Sequence, residues 1–320
     1  MGRPRVLLTE PIHPDGLDLL RQSADVTVLS SPDPAAVRAA LEDADGVIVR
    51  LTRLGAEEIT AAPRLRVIGR HGVGVDNVDL VAATRRRIPV VYTPGVNAVS
   101  VAEHALALLL AVARHLVAYD RAVRSGRWEA RDDLWGIELA GRTAGVVGMG
   151  AVGREVALRC RALGMRVLGY DPYVAGMPDG VERVQTLSDL LAQADVVTLH
   201  VPLTPQTRHL VGRRELALLR PGAVLVNTSR GEVVDEEALA EALAAGRLAG
   251  AGLDVFSVEP PPPGHPLLRS PRTVLTPHAA SHTAEALRRM AVVVAEQVLA
   301  VLAGQRPPHV ANPEVYENPP

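Results

Sequence analysis

Three polar residues in the second half of the chain each sit just past an apolar run. Arg230 lies in Asn227-Thr-Ser-Arg-Gly after Ala223–Val226, Glu259 follows Gly252-Leu-Asp254 in Val258-Glu-Pro, and His278 follows Thr273-Val-Leu-Thr-Pro. Their types suit one kind of chemistry. A guanidinium binds a carboxylate through two parallel N–H bonds. A protonated imidazole donates to a carbonyl oxygen, and a neighbouring carboxylate favours and orients that imidazolium. In a doubly wound sheet, ligands lie beyond the C-terminal ends of the strands, where these residues fall.

Reducing a carbonyl also requires a hydride donor, and Thr143–Asp171 has the pattern of a dinucleotide site. An apolar run, Thr143-Ala-Gly-Val-Val, leads into Gly148-Met-Gly150-Ala151-Val152-Gly153, then a helical stretch from Arg154 to Leu163. A second apolar run, Arg166-Val-Leu-Gly-Tyr, ends on Asp171. Gly148 permits the tight turn, Gly150 lets the backbone approach a pyrophosphate, and Gly153 lets helix and strand pack closely. The helix N-terminus offers unpaired N–H groups and a positive dipole end. Asp171 is placed to accept from ribose hydroxyls and to repel a 2′-phosphate, and Pro172 and Tyr173 follow it rather than Arg or Lys, so NAD is expected over NADP.

These residues need a scaffold of alternating strands and helices. Before residue 92, strands are predicted at Val6-Leu-Leu-Thr, Val26-Thr-Val-Leu, Gly46-Val-Ile-Val, Arg66-Val-Ile-Gly and Val90-Val-Tyr, with helices near 16–22, 34–42, 55–61 and 78–86. From Ser100 a long helix, apolar almost all round, is expected to be buried, with Ser100 and Glu103 as a capping box. The Arg-rich segment after it, with Trp128 and Trp135, reads as an irregular, exposed arm that wraps a partner subunit. Strands are predicted again at Val196-Val-Thr-Leu, Ala223-Val-Leu-Val, Ala249–Leu253 and Thr273-Val-Leu, then a long helix over about 283–302 and a proline-rich extended tail, 306–320. The fold class is therefore α/β with two doubly wound parallel-sheet domains. A Rossmann NAD-binding domain (99–284) is inserted in a discontinuous, flavodoxin-like substrate domain (1–98 and 285–320).

Composition removes several alternatives. The 34 basic residues are all Arg, which excludes Schiff-base, pyridoxal phosphate, phosphate-loop and kinase chemistries that need a lysine. With 36 acidic residues the charge nearly balances, so neither nucleic acid nor an anionic membrane is an expected partner. Cys160 is the only cysteine and reads as a buried filler; no internal disulfide is possible. The N-terminal apolar run is too short for a signal peptide, and the longest run, 105–113, falls short of the roughly 20 residues that span a bilayer, so a cytoplasmic protein is expected. His278, His282 and Glu285 could bind metal on a helix, but Pro277 argues for a loop, and no metal is expected. His104 reads as packing, His200 as structural or near an adenine, and His71 as touching substrate or facing solvent.

The ordered motifs, taken together, resemble the D-isomer-specific 2-hydroxyacid dehydrogenases. They run from Gly69-Arg-His-Gly-Val-Gly-Val-Asp-Asn-Val-Asp and Tyr92-Thr-Pro-Gly-Val-Asn-Ala-Val-Ser-Val-Ala-Glu through the glycine motif and His200-Val-Pro-Leu-Thr. They continue with Asn227-Thr-Ser-Arg-Gly-Glu-Val-Val-Asp, Gly252-Leu-Asp-Val-Phe, Glu259-Pro and Pro277-His. The resemblance implies Arg230 as the substrate-binding arginine, Glu259 as the acid partner and His278 as the proton donor. It implies Asp254 on the nicotinamide carboxamide, Thr228, Ser229, Arg230, His278 and Ser281 along the cofactor, Ala151 and Val152 over the pyrophosphate, and the Val73 and Gly74 amides on the substrate carboxylate. Glutamate at 259, where formate dehydrogenases carry glutamine, argues against formate.

Within the family, Arg50, Arg70 and Asn97 match positions where phosphoglycerate dehydrogenases hold their substrate, with the arginines on its phosphate. The chain looks like a short form without the C-terminal regulatory domain. Short glyoxylate or hydroxypyruvate reductases of the same family, and corepressor-like NAD-sensing proteins, are the alternatives. A homodimer is expected.

Overall fold

The computed structural model describes residues 2–31 and 33–317. Its strands are β1 (Arg5–Leu8), β2 (Asp25–Val28), β3 (Gly46–Val49), β4 (Val67–Arg70), β5 (Val90–Val91), β6 (Thr143–Val147), β7 (Arg166–Tyr170), β8 (Val181–Arg183), β9 (Val196–Leu199), β10 (Ala223–Asn227), β11 (Leu248–Leu253) and β12 (Thr273–Leu275). Its α-helices are α1 (Pro14–Ser23), α2 (Pro34–Leu41), α3 (Ala56–Ala61), α4 (Leu80–Arg85), α5 (Ala98–Ala113), α6 (Leu116–Arg124), α7 (Ala151–Ala162), α8 (Leu187–Gln193), α9 (Arg213–Leu218), α10 (Glu236–Ala244), α11 (Pro266–Arg269) and α12 (Ala284–Leu302). They divide into two compact units, Met1–Asn97 with His282–Pro320, and Ala98–Ser281.

The first unit is built on a five-stranded parallel sheet, order β2-β1-β3-β4-β5. Alternation along the strands sends neighbouring residues to opposite faces. Val6 and Leu8 join Val294, Ala295 and Val298 of α12 on one face. Leu7, Val47 and Val49 meet Val37 and Leu41 of α2 and Ile59 of α3 on the other. Gly16 lets α1 lie against α12, because a Cβ there would run into the backbone of Ala291.

The second unit is built on a seven-stranded parallel sheet, order β12-β11-β10-β9-β6-β7-β8. Ala144 and Val146 of β6 pack with α5 and α7, where Cys160 is fully buried and its thiol pKa is pushed up to about 12 by that burial. Val147, Val197 and Leu225 pack on the other face with α8, α9 and α10. The chain order reverses at β6, between β9 and β7, so the C-terminal end of β6 is the switch point where such sheets take ligands.

Several local expectations change. Helix α5 begins at Ala98, so Ser100 lies buried within its first turn rather than capping it, and Glu103 pairs with Arg159 at 3.6 Å. The segment after α5 is irregular only in its second half, residues 133–142, which hold Trp135. His115, at φ 53, breaks the helix, and α6 and a short 3-10 helix over Trp128–Asp132 follow. Helix α6 presents a mixed surface of Arg, Asp and apolar residues, whose period the arginines obscured. Residues 306–317 are not simply extended. Val310 bridges Val91 antiparallel, Asn312 accepts from Val90 N–H at 2.8 Å, and a 3-10 turn covers Pro313–Tyr316. Residues 318–320 of the expected tail lie outside the described residues. The short edge strand β8 was not foreseen. Among the described residues no single helix is long and apolar enough to cross a membrane.

Candidate active site

The nucleotide motif sits at the β6 switch point. Gly148 has φ +90, and a Cβ there would strike the His200 carbonyl. At Gly153 a Cβ would overlap the Gly148 carbonyl oxygen, so only glycine lets α7 approach the turn. Gly150 faces open space, and α7 starts directly after it with exposed Ala151 and half-buried Val152 in its first turn. Asp171 accepts from Met149 N–H at 2.9 Å through one oxygen and from Tyr173 N–H at 2.9 Å through the other. That carboxylate therefore stands at the mouth of the glycine turn. On β10 the next loop brings Thr228, whose Oγ1 is buried without a hydrogen-bond partner. A cradle that excludes side chains, an acid beside it and an orphaned hydroxyl fit a dinucleotide.

The loop after β10 is shaped by Asn227, 1 % exposed. Its Oδ1 accepts from Ser229 N–H at 3.0 Å and Ser229 Oγ–H at 2.7 Å, while its Nδ2 donates to the Arg230 carbonyl at 2.8 Å. This side-chain-to-backbone turn presents Arg230, whose guanidinium also donates to the Ser229 carbonyl.

His278 Nδ1 lies 2.7 Å from Glu259 Oε2, and Glu259 Oε1 accepts from Phe256 N–H at 3.0 Å. Burial pushes the Glu259 carboxyl up, but His278, the Phe256 amide and the charge of Arg230 outweigh it and hold it below the usual carboxylate range. The three residues therefore lie in one electrostatic neighbourhood. His278 has φ +51, in the left-handed region that non-glycine residues seldom adopt.

The surroundings of His278 centre on Asp254, which has no exposed surface. Its carboxylate accepts from Thr276 Oγ–H at 2.6 Å, Ala279 N–H at 2.8 Å and Ala280 N–H at 2.8 Å, and His278 N–H donates to its main-chain carbonyl at 2.7 Å. His104 Nε2 adds contacts of 2.9 Å to Thr276 and 3.4 Å to Asp254. Burial raises the Asp254 pKa, yet these bonds lower it overall. Asp254 thus clamps the loop that carries His278 and leads to Ser281, and His104, read from sequence as packing, belongs to the clamp. No sequence signal marks the pairing, since 150 positions separate His104 from Asp254.

In the other unit Arg50 follows β3, Arg70 ends β4 with Val73 and Gly74 in the loop after it, and Asn97 lies in the loop after β5. Residue 71 is not solvent-facing: His71 is 4 % exposed, its Nε2 is buried without a partner, and its pKa falls to about 4 through burial and the charges of Arg50 and Arg70. The two arginines therefore gather around this loop. Arg50 donates to the Pro11 carbonyl at 3.0 Å and Arg70 to the His71 carbonyl. Gly72, at φ +148, leaves room for the Arg70 guanidinium. Val73 is exposed, Gly74 is half-buried, and Asn97 Oδ1 is buried without a partner.

Glu10 was missed by the sequence reading. Its carboxylate accepts from the backbone N–H of Arg50 (3.0 Å), Leu51 (2.9 Å) and Thr52 (2.7 Å) and from Thr52 Oγ–H (2.8 Å). An acid just beyond the end of β1 was the available signal.

Half-buried His200 pairs through Nε2 with Thr198 Oγ1 at 2.8 Å, and burial of the ring lowers its pKa to about 3. Among the described residues no cluster of three or more His, Cys, Asp or Glu could hold a metal.

Comparison with known proteins identifies the family. Residues 106–280 match the model of the D-isomer specific 2-hydroxyacid dehydrogenase, NAD binding domain. The chain is 41% identical to D-3-phosphoglycerate dehydrogenase of Methanocaldococcus jannaschii over 312 residues, 96% of this chain and 59% of that protein, so it spans well under two thirds of that relative's length. It is 43% identical to glyoxylate reductase of Korarchaeum cryptofilum, covering 98% of both. A crystal structure of a Thermus thermophilus protein superposes with a TM-score of 0.89 at 44% identity, covering 96% of this chain and 99% of that one. The chain belongs to the D-isomer specific 2-hydroxyacid dehydrogenases, with an NAD-binding domain.

Proposed function

We propose that this chain interconverts a 2-oxo acid and a D-2-hydroxy acid with NAD, and that its substrate carries a phosphate, as D-3-phosphoglycerate does. The observation that carries the first part is the His278–Glu259 pair at 2.7 Å with Arg230 in electrostatic reach. Bound NADH supplies the hydride, or NAD accepts it in the reverse direction. The glycine turn and α7 N-terminus hold the pyrophosphate, Asp171 the ribose hydroxyls, and Thr228, Ser229 and Ser281 the remaining cofactor edge. Arg230 grips the substrate carboxylate and fixes its 2-carbon. His278 Nε2 gives its proton to the carbonyl oxygen during reduction and takes the hydroxyl proton during oxidation. Glu259, ionised and bonded to Nδ1, stabilises the imidazolium and sets which nitrogen faces the substrate.

The phosphate assignment rests on Arg50 and Arg70, whose charges both bear on His71, with Asn97 Oδ1 and the Val73 and Gly74 amides as further substrate contacts. Glyoxylate and hydroxypyruvate reduction, compared with 3-phosphoglycerate oxidation in wild type and Arg50→Ala, tests it. The substitution should raise KM for the phosphorylated substrate about tenfold, the loss of one charge-assisted hydrogen bond, and leave the others within about twofold. Equal effects on both substrate types would remove the phosphate from the proposal, and no NADH-dependent turnover of any 2-oxo acid would remove the rest.

We also infer a homodimer. Leu116, Val123, Trp128 and Trp135 are 53%, 55%, 69% and 85% exposed on and beyond α6, more large apolar surface than a monomer ordinarily leaves in one segment. Sedimentation should give twice the chain mass, and Trp135→Asp should lower it.

A further inference from the structure

Behind Glu259 lies a second polar cluster with no part in the chemistry above. Glu236, the first residue of α10, has a side chain only 11% exposed. Its Oε1 accepts from Ser257 N–H at 2.8 Å, and its Oε2 accepts from Ser257 Oγ–H at 2.5 Å and faces His265 Nε2 at 3.1 Å. The His265 side chain is 14% exposed, and its ring stands edge-on to Phe256, centroids 5.8 Å apart at 83°. Phe256 is the residue whose N–H fixes Glu259 Oε1. Both ends of the loop that carries Glu259 are therefore tied to one carboxylate.

The same carboxylate stands six residues after Arg230. Between them runs a 3-10 turn, Gly231–Val233, and Asp235, which caps α10 through Ala238 N–H at 3.0 Å. At Gly231 a Cβ would collide with the backbone of Phe256 and Ser257, so the two segments already lie in direct contact. Glu236 bridges them by hydrogen bonds to charge, which are stronger and more directional than neutral ones.

We propose that Glu236, with His265, is a positioning residue that holds the Glu259 loop in register with the Arg230 segment, so that Glu259 meets His278 with Arg230 at its working distance. This rests on the proposed role of the Arg230–Glu259–His278 group. Glu236 touches none of the reacting atoms; it acts through the Phe256 amide. A misplacement of the order of 1 Å at a reacting group costs up to about 100-fold in rate.

A double-mutant cycle in the full chain tests it, with kcat, KM, NADH affinity and thermal midpoint measured for each variant. Glu236→Ala should lower kcat about tenfold with KM and NADH affinity within about twofold, because only positioning for the chemical step is lost. Glu259→Gln should lower kcat further, and Glu236→Ala added to it should change little, because Glu236 acts through Glu259. Glu236→Gln keeps an acceptor for the Ser257 amide and should restore part of the rate; it also serves if the alanine variant does not fold. Amide exchange at Phe256 and Ser257 should rise in Glu236→Ala. Unchanged kcat in Glu236→Ala, or the same fold loss in the Glu259→Gln background, would overturn the proposal. Full activity in Glu259→Gln would instead overturn the role of Glu259.

Discussion

The two units treat their candidate functional side chains differently. In Ala98–Ser281 the groups are locked from behind. Asp254 binds the backbone around His278, Asn227 binds the Arg230 loop, and Glu259 is held by an amide as well as by His278. In the other unit a carboxylate also fixes the loop, but Glu10 directs its bonds at the backbone of residues 50–52, while the Arg50 guanidinium donates to the neutral Pro11 carbonyl. Main chain is held in both units; the difference is that the His278 side chain is itself fixed, by Glu259, whereas Arg50 is a long, adaptable cation on a settled main chain. Proton transfer tolerates little movement, whereas anion recognition can use an arginine that reorganises.

The largest effect should come from breaking the lock. Asp254→Ala leaves the buried Ala280 N–H, the half-buried Ala279 N–H and the Thr276 hydroxyl without an acceptor, and should cost on the order of 3 kcal/mol in urea unfolding. Activity should fall with it, since the loop that carries His278 loses its anchor on either side, at Thr276 and at Ala279 and Ala280. A variant with native stability and turnover would show that the clamp is dispensable.

Acid should next separate neutral histidines from paired carboxylates. His71, in one unit, and His200, in the other, have folded pKa values lowered from 6.5 to about 4 and about 3. The unfolded chain therefore binds more protons below pH 6.5, and His71 should remove up to about 2 kcal/mol of stability by pH 5, with half-buried His200 adding a smaller share. Glu10, Asp254 and Glu259 also have lowered folded pKa values, from 4.5, 3.8 and 4.5. Their stabilisation is complete above those values and is lost as pH falls through the lowered ones. Unfolding measured at several pH values should weaken in two stages, first below about 6.5 and again below about 4.5. A flat profile from pH 7 to 5 would contradict the burial of His71.

The smallest effect probes the settled main chain. Glu10→Ala should cost about 1 kcal/mol, because the partly exposed amides of residues 50–52 exchange their acceptor for water. It should also weaken phosphorylated-substrate binding in the same direction as Arg50→Ala. Combined, the two changes should add less than their sum in KM, since both act on one loop. Full additivity would mean that Glu10 does not position Arg50.

Much of this was legible in the sequence because it depends on local order. Gly148, Gly150, Gly153 and Asp171 announce themselves by spacing, and Arg230, Glu259 and His278 by following apolar strands. Apart from the exposed edge strand β8, the strands read cleanly, since buried parallel strands are continuous apolar runs. What escaped was set by contacts between distant positions. His104 meets Thr276, Glu10 meets residues 50–52, Glu236 meets Ser257 and His265, and residues 310–312 dock beside β5. None has a period or a motif. Helix α6 escaped because its charged residues masked a helical period.

The central claim, that His278 is the proton donor held by Glu259, meets its most direct test in His278→Ala, with single-turnover reduction and NADH titration on the same preparation. Turnover of the 2-oxo acid should fall about 10²–10⁴-fold while NADH affinity stays within about twofold. Wild-type turnover in the variant would contradict it.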